Sequence, residues 1–260
     1  MSQRQLTPRL VVRALSLRVA DAPVLQGVHL EVPARGVLAV IGPAGSGKTA
    51  LLRLLNRTLA RGPTVQVEGQ ILLDGDDLYS ERQRLRRVRQ RVGHVFPDPV
   101  PFPGTIADNV AYGLALDRVA DRTQRDLKIE RALKTVGLWT RDRAELMRPA
   151  DDLSRGDLQL LCIARTLALD PVVLLLENVT RSLDPVATRR VERCIRAVAE
   201  HRGVLMLTHD LAQAARLSDE VVYLEDGRVI EQGATAQVFT HPRLQQTEDF
   251  LAGRTGEGLA

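Results

Sequence analysis

The chain has 260 residues, 44% of them hydrophobic and 26% charged, the proportions of a soluble globular protein. No stretch approaches the roughly 18 to 20 apolar residues of a membrane-spanning helix, and Met1-Ser2-Gln3-Arg4-Gln5 lacks the apolar segment of a signal peptide. Two cysteines, Cys162 and Cys194, exclude a disulfide framework and fit a reducing cytoplasm. The net charge of +4 admits a nucleic-acid or acidic-lipid partner. All the lysines are Lys48, Lys128 and Lys134, and the arginines are spread along the whole chain, which reads more simply as a solvated surface. No aromatic residue precedes Tyr79.

In chain order, residues 9–31 give two apolar stretches around Asp21-Ala22-Pro23, the pattern of a paired strand hairpin. Gly36-Val37-Leu38-Ala39-Val40-Ile41 is a continuous apolar run, as expected of a strand buried on both faces. A glycine-rich turn follows, and then Thr49–Leu55, which reads as a helix. Two further buried strands are predicted at Val172–Leu176 and Val204–Thr208. Between the first and second buried strands lies a long, arginine-rich, mostly helical stretch over about 98–168, entered through Pro97, Pro99, Pro101 and Pro103. Strands alternating with helices predict a mostly parallel sheet, and the prolines mark an inserted subdomain.

Gly42-Pro43-Ala44-Gly45-Ser46-Gly47-Lys48-Thr49 matches the P-loop pattern in full, between a predicted strand and a predicted helix. Its glycines let backbone N–H groups converge on phosphate oxygens, and the helix N-terminus behind them adds positive potential. Lys48 would reach the β- and γ-phosphates and the Thr49 hydroxyl would ligate Mg²⁺. The expected ligands are therefore a nucleoside triphosphate, ATP above all, and Mg²⁺.

The features after the P-loop come in the order of the ATP-binding subunit of ABC transporters, over nearly the whole chain. Leu153-Ser154-Arg155-Gly156-Asp157 resembles that family's LSGGQ signature. Leu176-Glu177-Asn178 resembles the end of its acidic strand, Ser182-Leu183-Asp184-Pro185 its D-loop, and Thr208-His209-Asp210 its switch histidine. Pro101–Gly113, Leu55-Asn56-Arg57 and Thr247–Arg254 resemble the phosphate-importer branch. The resemblance implies the ABC ATPase fold: an α/β P-loop NTPase core with a mostly parallel sheet, an N-terminal antiparallel β subdomain and an inserted α-helical subdomain. Residues 1–260 would form one nucleotide-binding domain, with the helical signature subdomain at about 98–168. It also implies a transmembrane permease partner, a homodimer or a heterodimer with another ABC subunit, and a cytoplasmic place on the inner face of the membrane.

Departures from the family cluster at the site. Val19 stands where an aromatic normally stacks on adenine, so weaker adenine binding is expected, with stacking by the guanidinium of Arg18 or Arg13 as the alternative. Pro97 replaces the Q-loop glutamine and has no side-chain amide; Asp98 is the neighbouring group that could substitute as a ligand. Glu177 keeps a carboxylate on the Mg²⁺ side, whereas Asn178 takes the place of the catalytic base, and a carboxamide cannot accept a proton from water. The resemblance therefore implies an ATPase that binds ATP and hydrolyses it weakly, with His209 contacting the γ-phosphate. Ser154 and Gly156 would meet the γ-phosphate held by a partner chain, while Asp157 would bring negative charge there unless Arg155 offsets it. In a dimer the changes would weaken both sites. A non-hydrolytic, nucleotide-gated regulatory module is the first rival.

A soluble ABC ATPase acting on nucleic acid is the second rival. The run Arg82, Arg84, Arg86, Arg87, Arg89 and Arg91 could serve it, but no aromatic residue is interleaved for base stacking, so a solvated helix face is expected. His29, His94, His201 and His241 share no metal-ligand spacing and read as structural or surface residues.

Overall fold

The computed structural model describes residues 8–59, 62, 64–116 and 121–254; Met1–Gln5 lie outside them. Strands β1 (Leu10–Val19) and β2 (Ala22–Val32) form the expected hairpin, and β3 (Gly36–Ile41) leads through the P-loop into helix α1 (Lys48–Leu55). Strands β4 (Val65–Leu73) and β5 (Asp76–Asp77) precede α2 (Leu85–Arg91) and β6 (Val92–Val95). Four helices follow: α3 (Ile106–Leu116), α4 (Arg122–Val136), α5 (Arg143–Leu146) and α6 (Arg155–Leu167). The chain then alternates β7 (Val173–Glu177), α7 (Pro185–Ala199), β8 (Gly203–Leu207) and α8 (Leu211–Leu217). It ends in β9 (Glu220–Glu225), β10 (Arg228–Ala234), α9 (Thr235–Thr240) and α10 (Gln245–Leu251).

Two sheets result. One is antiparallel in the order β2-β1-β4-β5; the other has the order β10-β9-β3-β8-β7-β6 and is parallel except for the β9–β10 hairpin. The central strands are apolar along both faces, and both faces are covered, as a parallel sheet requires. Ile41, Leu174, Leu176, Val204 and Met206 pack with Leu160, Leu161 and Val191 from α6 and α7. Their alternates Leu38, Val40, Leu175, Leu205 and Leu207 pack with Leu51 and Leu52 of α1 and with Leu15, Leu17 and Val28 of the antiparallel sheet. The period of two along each strand thus decides which core each side chain joins.

The strands named from sequence are present within one or two residues. Those not predicted, β4, β6, β9 and β10, have visible causes. In β4 the polar Gln66, Glu68 and Gln70 alternate with Val65 and Val67, a legible strand pattern that went unread, while β5, also unpredicted, has two residues and β6 only four. Asp226-Gly227 between β9 and β10 is a hairpin turn of a well-known type, with both residues at positive φ, and was legible. The stretch from 98 to 105 is irregular, so the helices of the insert begin at Ile106.

This topology sends the C-terminal ends of β3, β7 and β8 to one edge, delivering the P-loop, Glu177 and His209 together. In open α/β sheets ligands bind beyond that edge. Leu205, fully buried in the middle of β8 between β3 and β7, holds the arrangement. Leu205→Ala is expected to lower unfolding free energy by about 2–5 kcal/mol, the range for deleting a buried leucine side chain. Urea denaturation followed by circular dichroism measures it.

Candidate nucleotide site

Helix α1 starts at Gly47, in the left-handed region at φ 97° and with no side-chain cap, so its first N–H groups are free of side-chain acceptors. Gly42 cannot be replaced: at φ 149° a Cβ there would lie 1.9 Å from the Leu224 carbonyl oxygen. The Lys48 ammonium is buried inside the loop and donates to Gly42 O at 2.8 Å, Pro43 O at 2.6 Å and Ser46 Oγ at 2.9 Å. Burial pulls its pKa down to about 8. A cation held by neutral acceptors within a ring of backbone amides matches the charge of a triphosphate, so these residues fit that ligand.

Thr49 Oγ1 donates to Glu177 Oε1 at 2.8 Å, joining the start of α1 to the end of β7. The imidazole of His94, then the Thr49 hydroxyl, hold the Glu177 carboxyl below its usual range against the opposing effect of burial. A hydroxyl and an ionised carboxylate at this spacing are hard oxygen donors suited to Mg²⁺. Of the two readings open to His94, structural or surface, the structure takes the first. The His94 side chain is 2% exposed, with Nε2 3.3 Å from Glu177 Oε2. Its place on the edge strand β6, whose pairing with β7 was not predicted, is what brings it there.

Asn178 has a left-handed backbone at φ 46°, a conformation that asparagine tolerates better than most residues, and its N–H donates to Leu207 O at 2.8 Å. Two residues beyond β8, His209 is exposed; partial desolvation and the nearby Lys48 and Arg181 charges lower its pKa, which keeps the imidazole neutral more readily. Sequence reasoning missed the buried Gln213. It accepts from Thr208 Oγ1 at 2.9 Å and donates to Thr180 Oγ1 at 2.9 Å and Glu192 Oε1 at 3.1 Å. This network ties the end of β8 to the segment after Asn178. The signal was a glutamine on the inner face of a short apolar helix.

The segment read as the signature is held by local contacts. Ser154 caps α6, accepting from the Asp157 N–H at 3.1 Å and donating to Asp157 Oδ2 at 2.7 Å. Gly156 packs so tightly on α7 that a Cβ would fall 2.6 Å from Ala187 Cβ. The Asp157 charge, left open to an offset by Arg155, is paired instead with Arg190 at 2.8 Å. Arg155 instead donates to Asp98 Oδ1 at 2.9 Å, so Asp98 is engaged at the head of α6 rather than presented as a replacement for the missing glutamine. Asp184 caps α7 through Val186 and Ala187, and Ser182 lies just before it at φ 64°.

At the expected adenine position, Val19 ends β1 and is 37% exposed. Arg18 donates to the Asp21 carbonyl in the β1–β2 turn, which engages it there. In the arginine run, Arg89 donates to Arg57 O at 3.0 Å and Arg91 pairs with Asp74.

Comparison with known proteins agrees with this geometry. The sequence model of the ABC transporter family matches residues 25–181. The chain is 40% identical over 245 residues to the "Phosphate import ATP-binding protein PstB 3" of Streptococcus pneumoniae serotype 4, covering 94% of this chain and 98% of that one. The same values hold for the protein of that name from a second S. pneumoniae strain. Among solved structures, cbiO1 from Clostridium perfringens, part of the ABC transporter complex cbiONQ, superposes with a TM-score of 0.79 at 25% identity, over 95% of this chain and 96% of that chain. A bacterial Atm1-family ABC exporter with ATP bound superposes at 0.76 and 28% identity, over all of this chain and 44% of that one. With its parallel sheet, P-loop and signature segment in their places, this chain belongs to the ABC transporter family, as an ATP-binding subunit.

Proposed function

We propose that this chain is the ATP-binding subunit of a phosphate importer, in which ATP binding drives coupling to a membrane permease and hydrolysis is slow. The carrying observation is the near end-to-end likeness, at 40% identity, to two proteins named for phosphate import. The permease partner is supported by the segment after Pro97. Phe96, Val100 and Tyr112 are at least half exposed there. Behind them the loop is stiffened: Asn109 accepts from the Phe102 N–H at 2.7 Å, and the Arg165 guanidinium lies 4.0 Å from the Phe102 ring centre. A rigid loop presenting apolar side chains suits docking to another protein. Such a subunit would sit on the cytoplasmic side of the membrane as a homodimer or paired with a second ABC subunit.

At the site, Lys48 would move from its loop carbonyls to the β- and γ-phosphates, while Thr49 and Glu177 would hold Mg²⁺, which neutralises phosphate charge when bound. Neutral His209 would donate a hydrogen bond toward the γ-phosphate. Ser154 and Gly156 would close over the phosphates held by a partner chain, with Arg190 balancing Asp157 beside them. Asn178 would orient water without taking its proton, so in-line attack would rely on positioning alone.

Asn178 and Pro97 also support a second reading, a nucleotide-gated regulatory module that closes on ATP and reopens slowly. Catalysis separates the two. Phosphate release below about 1 s⁻¹ is expected of the native protein. Asn178→Glu is expected to raise it about 100-fold, the lower end of what a general base supplies, at the cost of about 1 kcal/mol of stability for a glutamate at positive φ. Native turnover at or above about 1 s⁻¹ would defeat the argument from Asn178, and an unchanged rate in the variant would favour the regulatory module.

Nucleotide binding and transport are tested together with one further variant. Lys48→Ala is expected to weaken ATP binding at least about tenfold, measured by titration calorimetry, because it removes a charge-assisted contact. In vesicles holding this chain and its co-purified permease, ATP-dependent uptake of labelled phosphate should occur with the native subunit and disappear with Lys48→Ala. Uptake of another anion in its place would refute phosphate as the cargo.

A further inference from the structure

Beyond its effect on the Glu177 carboxyl, the His94 imidazole has no role assigned above, and its side chain is enclosed beside the start of the P-loop helix. It projects from β6 on the same face as Leu175 and Glu177 of β7, since His94 pairs with Leu175 in register. Its side chain is 2% exposed, and apart from the ion-pair contact of Nε2 with Glu177 neither ring nitrogen has a hydrogen-bond partner among the described residues. Leaving buried polar atoms unmatched costs about 1–3 kcal/mol, so such atoms point to a missing ligand. Nε2 stands 3.3 Å from Glu177 Oε2 but off the line of a hydrogen bond, while Oε1 of the same carboxylate accepts from Thr49. Phe96 packs on the imidazole at 4.1 Å between ring centres, fixing its orientation.

We propose that His94, Glu177 and Thr49 together form a mixed nitrogen–oxygen site for the divalent cation that accompanies the nucleotide, and that this site prefers Mn²⁺ and later first-row ions to Mg²⁺. The inference rests on the reading of Thr49 and Glu177 as the cation-binding pair of a nucleotide site. Three features carry it. Two donors sharing one cation at right angles, with bonds of about 2.1 Å, lie about 3 Å apart, close to the His94–Glu177 spacing. Pro97 supplies no side-chain amide oxygen, and Asp98 is tied to Arg155, so neither neighbour offers an oxygen that would restore an all-oxygen set. An imidazole nitrogen is a poor donor for Mg²⁺ and a good one for transition-metal ions, whose affinity rises along the first row. Of the described residues no group of three His, Cys, Asp or Glu gathers around a metal position; the third donor here is a hydroxyl, and the remaining positions would fall to phosphate oxygens and water.

The test uses the full chain, a non-hydrolysable ATP analogue, and either Mn²⁺ or Mg²⁺. In the native protein, pulsed electron paramagnetic resonance of bound Mn²⁺ should show coupling to an imidazole nitrogen, and the nucleotide should bind about tenfold more tightly with Mn²⁺ than with Mg²⁺. His94→Leu removes the imidazole beside the Glu177 carboxylate, so its melting temperature should fall and it is compared with the native protein well below that temperature; it should lose the nitrogen coupling and lower the Mn²⁺ preference about tenfold, as loss of a metal-site partner does. His94→Gln, which keeps a polar atom, should bind Mn²⁺ without nitrogen coupling and covers the case in which the leucine variant does not fold. Tight nucleotide binding with no nitrogen coupling in the native protein, or equal metal preference in native and variants, overturns the role of His94 alone. No nucleotide binding with either metal overturns the nucleotide reading and this inference with it.

Discussion

Thr49 at the start of α1 donates its hydroxyl proton to Glu177 at the end of β7, and the 2.8 Å contact joins the two elements that would hold a phosphate-bound cation. Everything around it serves that junction. The parallel register of β3, β8 and β7 brings both elements to the same sheet edge. Gly42 lets the loop pass under Leu224, and Lys48 is folded into the loop against its own carbonyls. The cores on the two faces of the sheet leave no freedom in where the edge lies, because each strand residue is committed to one face or the other.

Around this fixed junction the chemistry has drifted. By the family resemblance the base position is an amide, Pro97 stands just after β6 where a glutamine is expected, and the signature carries two opposite charges absent from the family pattern. These charges are neutralised, though not by each other. Asp157 is held by Arg190 from α7 and Arg155 by Asp98 from the segment after β6. The second pair links the head of α6 to the segment that replaces the Q-loop. It is an exposed ion pair of modest worth, about 1 kcal/mol or less, so its effect is on positioning rather than on stability. On the proposed reading, the changes fall on the hydrolytic half of the site and spare the binding half.

Much of this was readable in the sequence, for physical reasons that differ by element. The buried strands announced themselves as short apolar runs, and the P-loop as a run of glycines before a lysine, because those positions tolerate almost nothing else. The D-loop and switch positions were proposed from order and resemblance, and what the structure shows of them is capping: Asp184 and Asp210 cap the helices that follow. What escaped depended on tertiary pairing. His94 lacks any metal-ligand spacing because its partners sit on β7 and α1, far away in sequence. The choice of Arg190 over Arg155 for Asp157 follows from how α7 packs on α6, where Gly156 allows the close approach. Gln213 was hidden because a single glutamine in a short helix carries no periodic signal.

The central claim is that this ABC subunit binds ATP and cleaves it slowly. Its most direct test is the state of the nucleotide on the protein. The purified chain is incubated with labelled ATP and a divalent cation, freed of unbound ligand by rapid gel filtration, and its nucleotide separated into ATP and ADP. Retention close to one nucleotide per chain, predominantly uncleaved ATP after many minutes, is the predicted result. Nucleotide recovered mainly as ADP, or none retained at all, would contradict the account.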